Sequence, residues 1–236
     1  LKRKSEAFGF ALSFIHALQY SNMFHHRIRR NLPKDPWWHL VGLLFGLLFV
    51  LMLMLARLAP EYLDRTDDVV EKFILPLQVA PYYVPFLVVT VLGSTLGIIL
   101  TTVGAGYLLR RNRFTVLQLF LVLFFSSISM GIAKAFVERA RPDVLQWLSP
   151  LSSYSFPSGH ATLSTAFYGF LAVCLYRRVR TPLWRFLSVA TCILIIFFVC
   201  LSRLVLNYHY MTDVTAGVFL GIFWLAVIFM LPKRRL

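Results

Sequence analysis

Six long apolar runs constrain this chain more than any other feature of its sequence. They span residues 40–56, 84–109, 114–133, 160–176, 186–206 and 212–231. Each falls within or close to the span of about 17–25 residues that a membrane-crossing helix needs. The expected fold class is therefore all-α, a six-transmembrane-helix bundle filling residues 37–236 as one membrane domain. Composition agrees with this reading. The chain is 58% hydrophobic with 22 Phe, and only 14% of its 236 residues are charged. That share lies well below the roughly 25% of soluble globular chains. Abundant aromatics with ordinary Gly and Pro exclude a disordered or collagen-like chain. Cys174, Cys192 and Cys200 all sit inside apolar runs, so neither a disulfide framework nor a zinc site is indicated.

A formal charge of +14 would suggest a nucleic-acid binder in a soluble protein. Here the charges sort by side. With six spans both termini share a face, and 17 of the 24 basic residues lie on that face with only Glu6 and Asp35 opposing them. The positive-inside rule places both termini and the Arg110–Arg113 and Arg177–Arg185 loops in the cytoplasm. Topology and anionic lipid headgroups explain the basic face, so no nucleic-acid partner is expected. Residues 1–36 form a cytoplasmic or interfacial segment, in which 6–24 reads as an amphipathic interfacial helix; a cleaved signal peptide is not expected. Trp37 and Trp38 read as interfacial anchors. Gly93 and Gly97, four apart, predict a close helix contact.

Ionisable residues at the outer helix ends remain unexplained by orientation, and such residues are functional candidates by default. Lys134 ends the third run, Arg139 and Arg141 follow it, and His160 opens the fourth. Arg203 closes the fifth, and His209 and Asp213 precede or open the sixth. Lys134 and Arg141 are two helical turns apart and would share a face if the helix continued that far. His209 and Asp213 are four apart, again on one helix face, which lets the carboxylate orient the imidazole. Pro157-Ser158-Gly159-His160 is a turn into a helix start, whose free N–H groups favour an anion. Several cations with an amide-rich turn describe an oxyanion site suited to tetrahedral phosphate. Of two histidines, one can attack phosphorus and the other protonate the leaving alkoxide. No carboxylate cluster of the kind that holds Mg²⁺ appears, and two His with one Asp is a thin zinc set, so no metal or other cofactor is expected.

The arrangement resembles the three-part signature of the type 2 phosphatidic acid phosphatase superfamily. It comprises Lys134, six residues, then Arg141-Pro142; next Pro157-Ser158-Gly159-His160; and last Ser202-Arg203, five residues, His209, three residues and Asp213. The resemblance implies that His209 is the nucleophile forming a phosphohistidine, with Asp213 holding its ring. It implies that His160 is the general acid, and that Lys134, Arg141, Arg203, Ser158 and Gly159 bind phosphate. It also implies a metal-independent lipid phosphatase whose substrate is an amphiphile of the outer leaflet. Candidates are undecaprenyl diphosphate, phosphatidylglycerol phosphate, phosphatidic acid and the 1-phosphate of lipid A, and the chain's size and short outer loops suggest the bacterial branch. A lipid phosphotransferase using the same site, or a lipid transporter with intramembrane charges, is the alternative. Glu138 and Arg139 fall outside the signature and read as a solvated loop, as do the acidic residues 64–71. Thr101, Thr102, Ser126, Ser127 and Ser129 read as packing or backbone-bonding hydroxyls.

Overall fold

The computed structural model describes residues 37–78, 83–110, 112–142 and 154–231, so the expected amphipathic segment at 6–24 lies outside the described residues. Among these residues the chain is helical, with no strand. In order the helices are α1 (Trp37–Leu58), α2 (Pro60–Ile74), α3 (Tyr83–Thr90), α4 (Thr95–Leu109), α5 (Arg113–Val137), α6 (Gly159–Arg178), α7 (Pro182–Val205) and α8 (Met211–Met230). Four of them, α1, α5, α7 and α8, are long and apolar enough to cross a membrane. The α3–α4 pair makes a fifth if taken as one broken span. Large apolar side chains point outward from several of them: Leu43, Leu47 and Val50 on α1, Phe120 and Ile132 on α5, Ile193 and Phe197 on α7. In water such a surface would be an aggregation liability; in lipid it is the solvated face.

Helix α6 sits at the centre, packed against α5, α7 and α8, while α1 lies along α8 and α3 along α7. It carries Thr162, Ser164 and Thr165 in fully or nearly fully buried positions. Two of these hydroxyls bond back to their own helix, Thr162 to the Ser158 carbonyl at 2.9 Å and Ser164 to the His160 carbonyl at 2.5 Å. That leaves polar residues tolerable in a helix screened from lipid by its neighbours. Its contact with α8 is close because α8 presents Gly217 and Gly221 one turn apart. A Cβ on Gly217 would stand 2.7 Å from the Ser158 carbonyl oxygen, and one on Gly221 2.7 Å from Thr165 Cβ.

The expected second span is broken. Chain 83–109 bends by 52° at Ser94, just past the tight turn Val91–Gly93, and Ser94 caps α4 by accepting the Gly97 N–H at 3.0 Å. The two glycines therefore serve different ends. Gly93 faces Val199 of α7 and the ring of His160, while Gly97 leaves room for the chain's own Val91 carbonyl. The Tyr168 hydroxyl donates to the Leu92 carbonyl at 3.2 Å, satisfying an acceptor that the break releases.

Two further expectations are corrected. Residues 64–71 are not a solvated loop but part of α2, which Pro60 opens at its first turn. Leu63, Asp67, Val70 and Ile74 recur at helical spacing on its inner face, and Asp67 is buried at 4% exposure. Helix α5 does not run on to Arg141. It stops at Val137, and Glu138 takes a left-handed conformation with φ 56° that turns the chain.

Candidate active site

The bundle alternates direction, so the C-terminal ends of α5 and α7 and the N-terminal ends of α6 and α8 share one side. Lys134, His160, Arg203 and Asp213 stand at those ends. The structure brings the three sequence blocks together there. Lys134 Nζ bonds the Tyr154 carbonyl and lies 3.5 Å from that of Ser155, fastening α5 to the strand of chain that leads into α6. Ser158 N–H donates to the Asp213 carbonyl at 3.0 Å, joining the start of α6 to that of α8. The Ser158 side chain is fully buried and caps α6, accepting from Ala161 N–H at 3.5 Å. Gly159 opens the helix under the sulfur of Met130.

His209 lies just ahead of α8, so its partnership with Asp213 comes from a turn and not from a shared helix face. Its Nδ1 is 3.5 Å from Asp213 Oδ2 and 3.3 Å from Ser155 Oγ. Ser155 Oγ in turn donates to the same carboxylate oxygen. A proton on Nδ1 satisfies these acceptors and leaves the Nε2 lone pair on the opposite edge. That edge faces Arg141, whose Nη1 lies 3.4 Å away and donates to the Tyr208 carbonyl at 2.9 Å. Burial pushes the His209 pKa down to about 4, against the pull of Asp213, so the ring is neutral at pH 7. Burial likewise lowers Arg141 from its ordinary value, with Asp213 opposing, though the guanidinium keeps its charge.

Asp213 is fully buried at the third position of α8, where its Oδ2 accepts the Tyr210 N–H at 3.1 Å. A carboxylate there complements the positive end of the helix. Arg203 is 5% exposed at the end of α7. Its Nη1 donates to Thr90 Oγ1 of the broken span at 2.7 Å, and its guanidinium lies 4.4 Å from the centre of the Tyr208 ring. Its buried Nε has no hydrogen-bond partner among the described residues, a costly state for a charged donor unless an acceptor arrives. His160 follows Gly159 at the start of α6, with its ring against Gly93 of the broken span. A small open cleft reaches His209 between α2 and the turn at Leu204–Met211, lined also by Asp67, Ile74, Asn207 and Tyr210.

Arg139 corrects the sequence reading most sharply. Its side chain is only 10% exposed, and its two terminal nitrogens reach four partners: Thr212 Oγ1 at 2.8 Å, Asp213 Oδ1 at 2.9 Å, Asp64 Oδ1 at 2.7 Å and Asp67 Oδ2 at 2.8 Å. Burial works against its charge, but the carboxylates of Asp213, Asp67 and Asp64 outweigh that and raise its pKa above the ordinary guanidinium value. Sequence reasoning missed Ser155, Thr90, Asp67 and Thr212 as well. For Asp67 a signal existed, since it shares helical spacing with Leu63, Val70 and Ile74. Among the described residues no three His, Cys, Asp or Glu side chains converge as a metal site.

The PAP2 superfamily model matches residues 115–236, which hold every residue of the three blocks. The chain belongs to the PAP2 superfamily. Over 135 residues it is 31% identical to phosphatidylglycerophosphatase B of Bacillus subtilis (strain 168), a match that takes in 52% of this chain and 61% of that protein. The match thus spans less than two thirds of that relative's length. A solved structure, described as the first transmembrane PAP2 type phosphatidylglycerolphosphate phosphatase from Bacillus subtilis, superposes with a TM-score of 0.68 at 23% identity. It covers 79% of this chain and 93% of its own, and the likeness is one of fold. With its apolar helices and this fold, the PAP2 chain is a multi-pass membrane protein.

Proposed function

We propose that this protein hydrolyses a phosphate monoester or diphosphate carried by a membrane lipid, through a phosphohistidine on His209. The observation that carries the reading is the placement of His209, with Nδ1 held by Asp213 and Ser155 and Nε2 facing Arg141. The nucleophilic nitrogen and a phosphate-binding cation thus share one edge of the ring. Arg203, whose Nε has no partner among the described residues, and Lys134 supply further donors for phosphate oxygens, and Ser158 and Gly159 present the amide-rich start of α6.

In the first step Nε2 of neutral His209 attacks phosphorus while the bond to the lipid oxygen breaks. The departing alkoxide, or phosphate in a diphosphate, takes a proton from His160. Asp213 stabilises the charge that develops on the His209 ring, as an orienting carboxylate does in a hydrolytic triad. Water then attacks the phosphohistidine and yields its proton to His160. The P–N bond breaks, and inorganic phosphate leaves. No step requires a metal ion.

Phosphatidylglycerol phosphate is the first substrate to test, because the curated relative is a phosphatidylglycerophosphatase. Undecaprenyl diphosphate, phosphatidic acid and lipid A 1-phosphate carry the same reacting group. The broken span 83–109 and α6 complete six crossings with α1, α5, α7 and α8. The basic side faces the cytoplasm, so the site opens at the outer leaflet of what the bacterial-type resemblance makes an inner membrane. Purified protein should release phosphate from this panel. His209→Ala should abolish release in protein that still folds, and release at the wild-type rate would refute the nucleophile. Phosphate recovered on a second lipid, with none in solution, would point to a transferase instead.

A further inference from the structure

We propose that Arg139 is a positioning residue for phosphoryl transfer, fixing Asp213, and through it His209, by tying the start of α8 to α2. The inference rests on the reading of His209 as nucleophile with Asp213 as its partner.

The two oxygens of Asp213 are engaged from opposite directions. Oδ2 meets His209 Nδ1, Ser155 Oγ and Tyr210 N–H, while Oδ1 receives Arg139 Nη1. A carboxylate held at one oxygen can swing about its terminal torsion, whereas one held at both cannot. The direction of Oδ2, and so the orientation of the imidazole it faces, is set from the Arg139 side. Arg139 is in turn immobilised by α2, since its Nη2 bridges Asp64 and Asp67. Asp67 adds a second tie to α8, accepting from Thr212 N–H at 2.8 Å and from Thr212 Oγ1 at 2.6 Å. The Tyr210 ring lies 4.3 Å from the guanidinium carbon.

This arrangement separates Arg139 from the cations assigned to phosphate. Three carboxylates surround it, and their summed negative charge repels a substrate phosphate at that point. Only a guanidinium can do this work, because it spans carboxylates on two different helices with one rigid fork. A lysine ammonium, a single point charge, reaches one of them at a time.

The test is steady-state kinetics of R139M and R139K on a defined lipid phosphate, in wild-type and D213N backgrounds, with H209A alongside. R139M should lower kcat by roughly 100-fold, the cost of an ångström-scale misplacement of a reacting group. Its KM should stay within about twofold, because no substrate contact is lost. R139K should recover about tenfold of that loss, having the charge without the fork. In the D213N background R139M should cost less than about threefold, since residues acting as a unit are non-additive. A raised KM at unchanged kcat would make Arg139 a phosphate ligand and overturn the proposal, as would the full loss persisting in D213N. Should R139M fail to fold, the kcat and KM of R139K decide the same question. If H209A is inactive while R139M and R139K keep wild-type kcat, this proposal alone fails. Wild-type release by H209A overturns the nucleophile and this inference together.

Discussion

Gly217→Ala adds one methyl group at the contact on which the site's geometry depends. A Cβ there would lie 2.7 Å from the Ser158 carbonyl oxygen and 3.0 Å from both Ala161 Cβ and Thr162 Oγ1. Ordinary contact begins near 3.5 Å, so the start of α6 must retreat from α8 by most of an ångström. The first atom met is backbone, which no rotamer change can move aside. Overpacking of this kind costs about 1–3 kcal/mol, and alanine returns up to about 1 kcal/mol of helix propensity. A net loss of about 1–2 kcal/mol should lower the melting temperature in detergent by roughly 2–8 °C. Activity should suffer more than stability. The Ser158 N–H to Asp213 carbonyl bond at 3.0 Å crosses the same contact, so Ser158, Gly159 and His160 move together relative to His209. Displacement on that scale predicts a kcat loss of up to roughly 100-fold. Gly221→Ala, one turn deeper against Thr165, should lose comparable stability with a smaller loss of rate. The assays are thermal melting and phosphate release on the same preparations. Unchanged melting and unchanged rate in G217A would refute the close-contact reasoning, and equal rate losses in the two variants would refute the link to the phosphate turn.

Two further outcomes follow from the site. His209 has a folded-state pKa near 4 against 6.5 ordinarily, so between those values the unfolded chain binds the extra proton. Its contribution is fully present above pH 6.5 and is lost as pH falls, at roughly 1.4 kcal/mol per unit. Melting of wild type and His209→Gln across pH 4–7 should show the steeper acid loss in wild type, and parallel curves would exclude this linkage. Phosphate release should also persist in excess EDTA, and activity lost to EDTA and restored only by added metal would contradict the direct attack by His209.

The three blocks were legible because their chemistry is local. His209 and Asp213 are four residues apart, and Pro157–His160 is contiguous, so spacing alone implies proximity. Arg139 was misread because all its partners are distant in sequence, 72 to 75 residues away in the case of Asp64, Asp67, Thr212 and Asp213. Without them an arginine after a helix looks like a solvated charge. Asp67 was misread for a related reason. Four acids in a short stretch suggested exposure, whereas the helical recurrence of Leu63, Asp67, Val70 and Ile74 set one of them on the buried face. The break at Ser94 was hidden because both halves are apolar, and hydropathy does not register a change of direction.

What the sequence alone determined is everything that depends on composition and on near neighbours. Long apolar runs dictate helices in a bilayer, because lipid offers a backbone no hydrogen bonds and a helix supplies its own. The charged residues left at the ends of those helices carry the three-part signature that falls within the PAP2 match. Only the tertiary structure decided what surrounds each of those charges. Arg139, Arg141 and Arg203 are alike in sequence as basic residues beside a span. Folding surrounds the first with Asp64, Asp67 and Asp213, sets the second 3.4 Å from His209 Nε2, and leaves the third with a buried Nε that has no partner among the described residues. The physical reason is that a charge acts through what lies within a few ångströms of it, and those neighbours are chosen by helix packing, not by order along the chain.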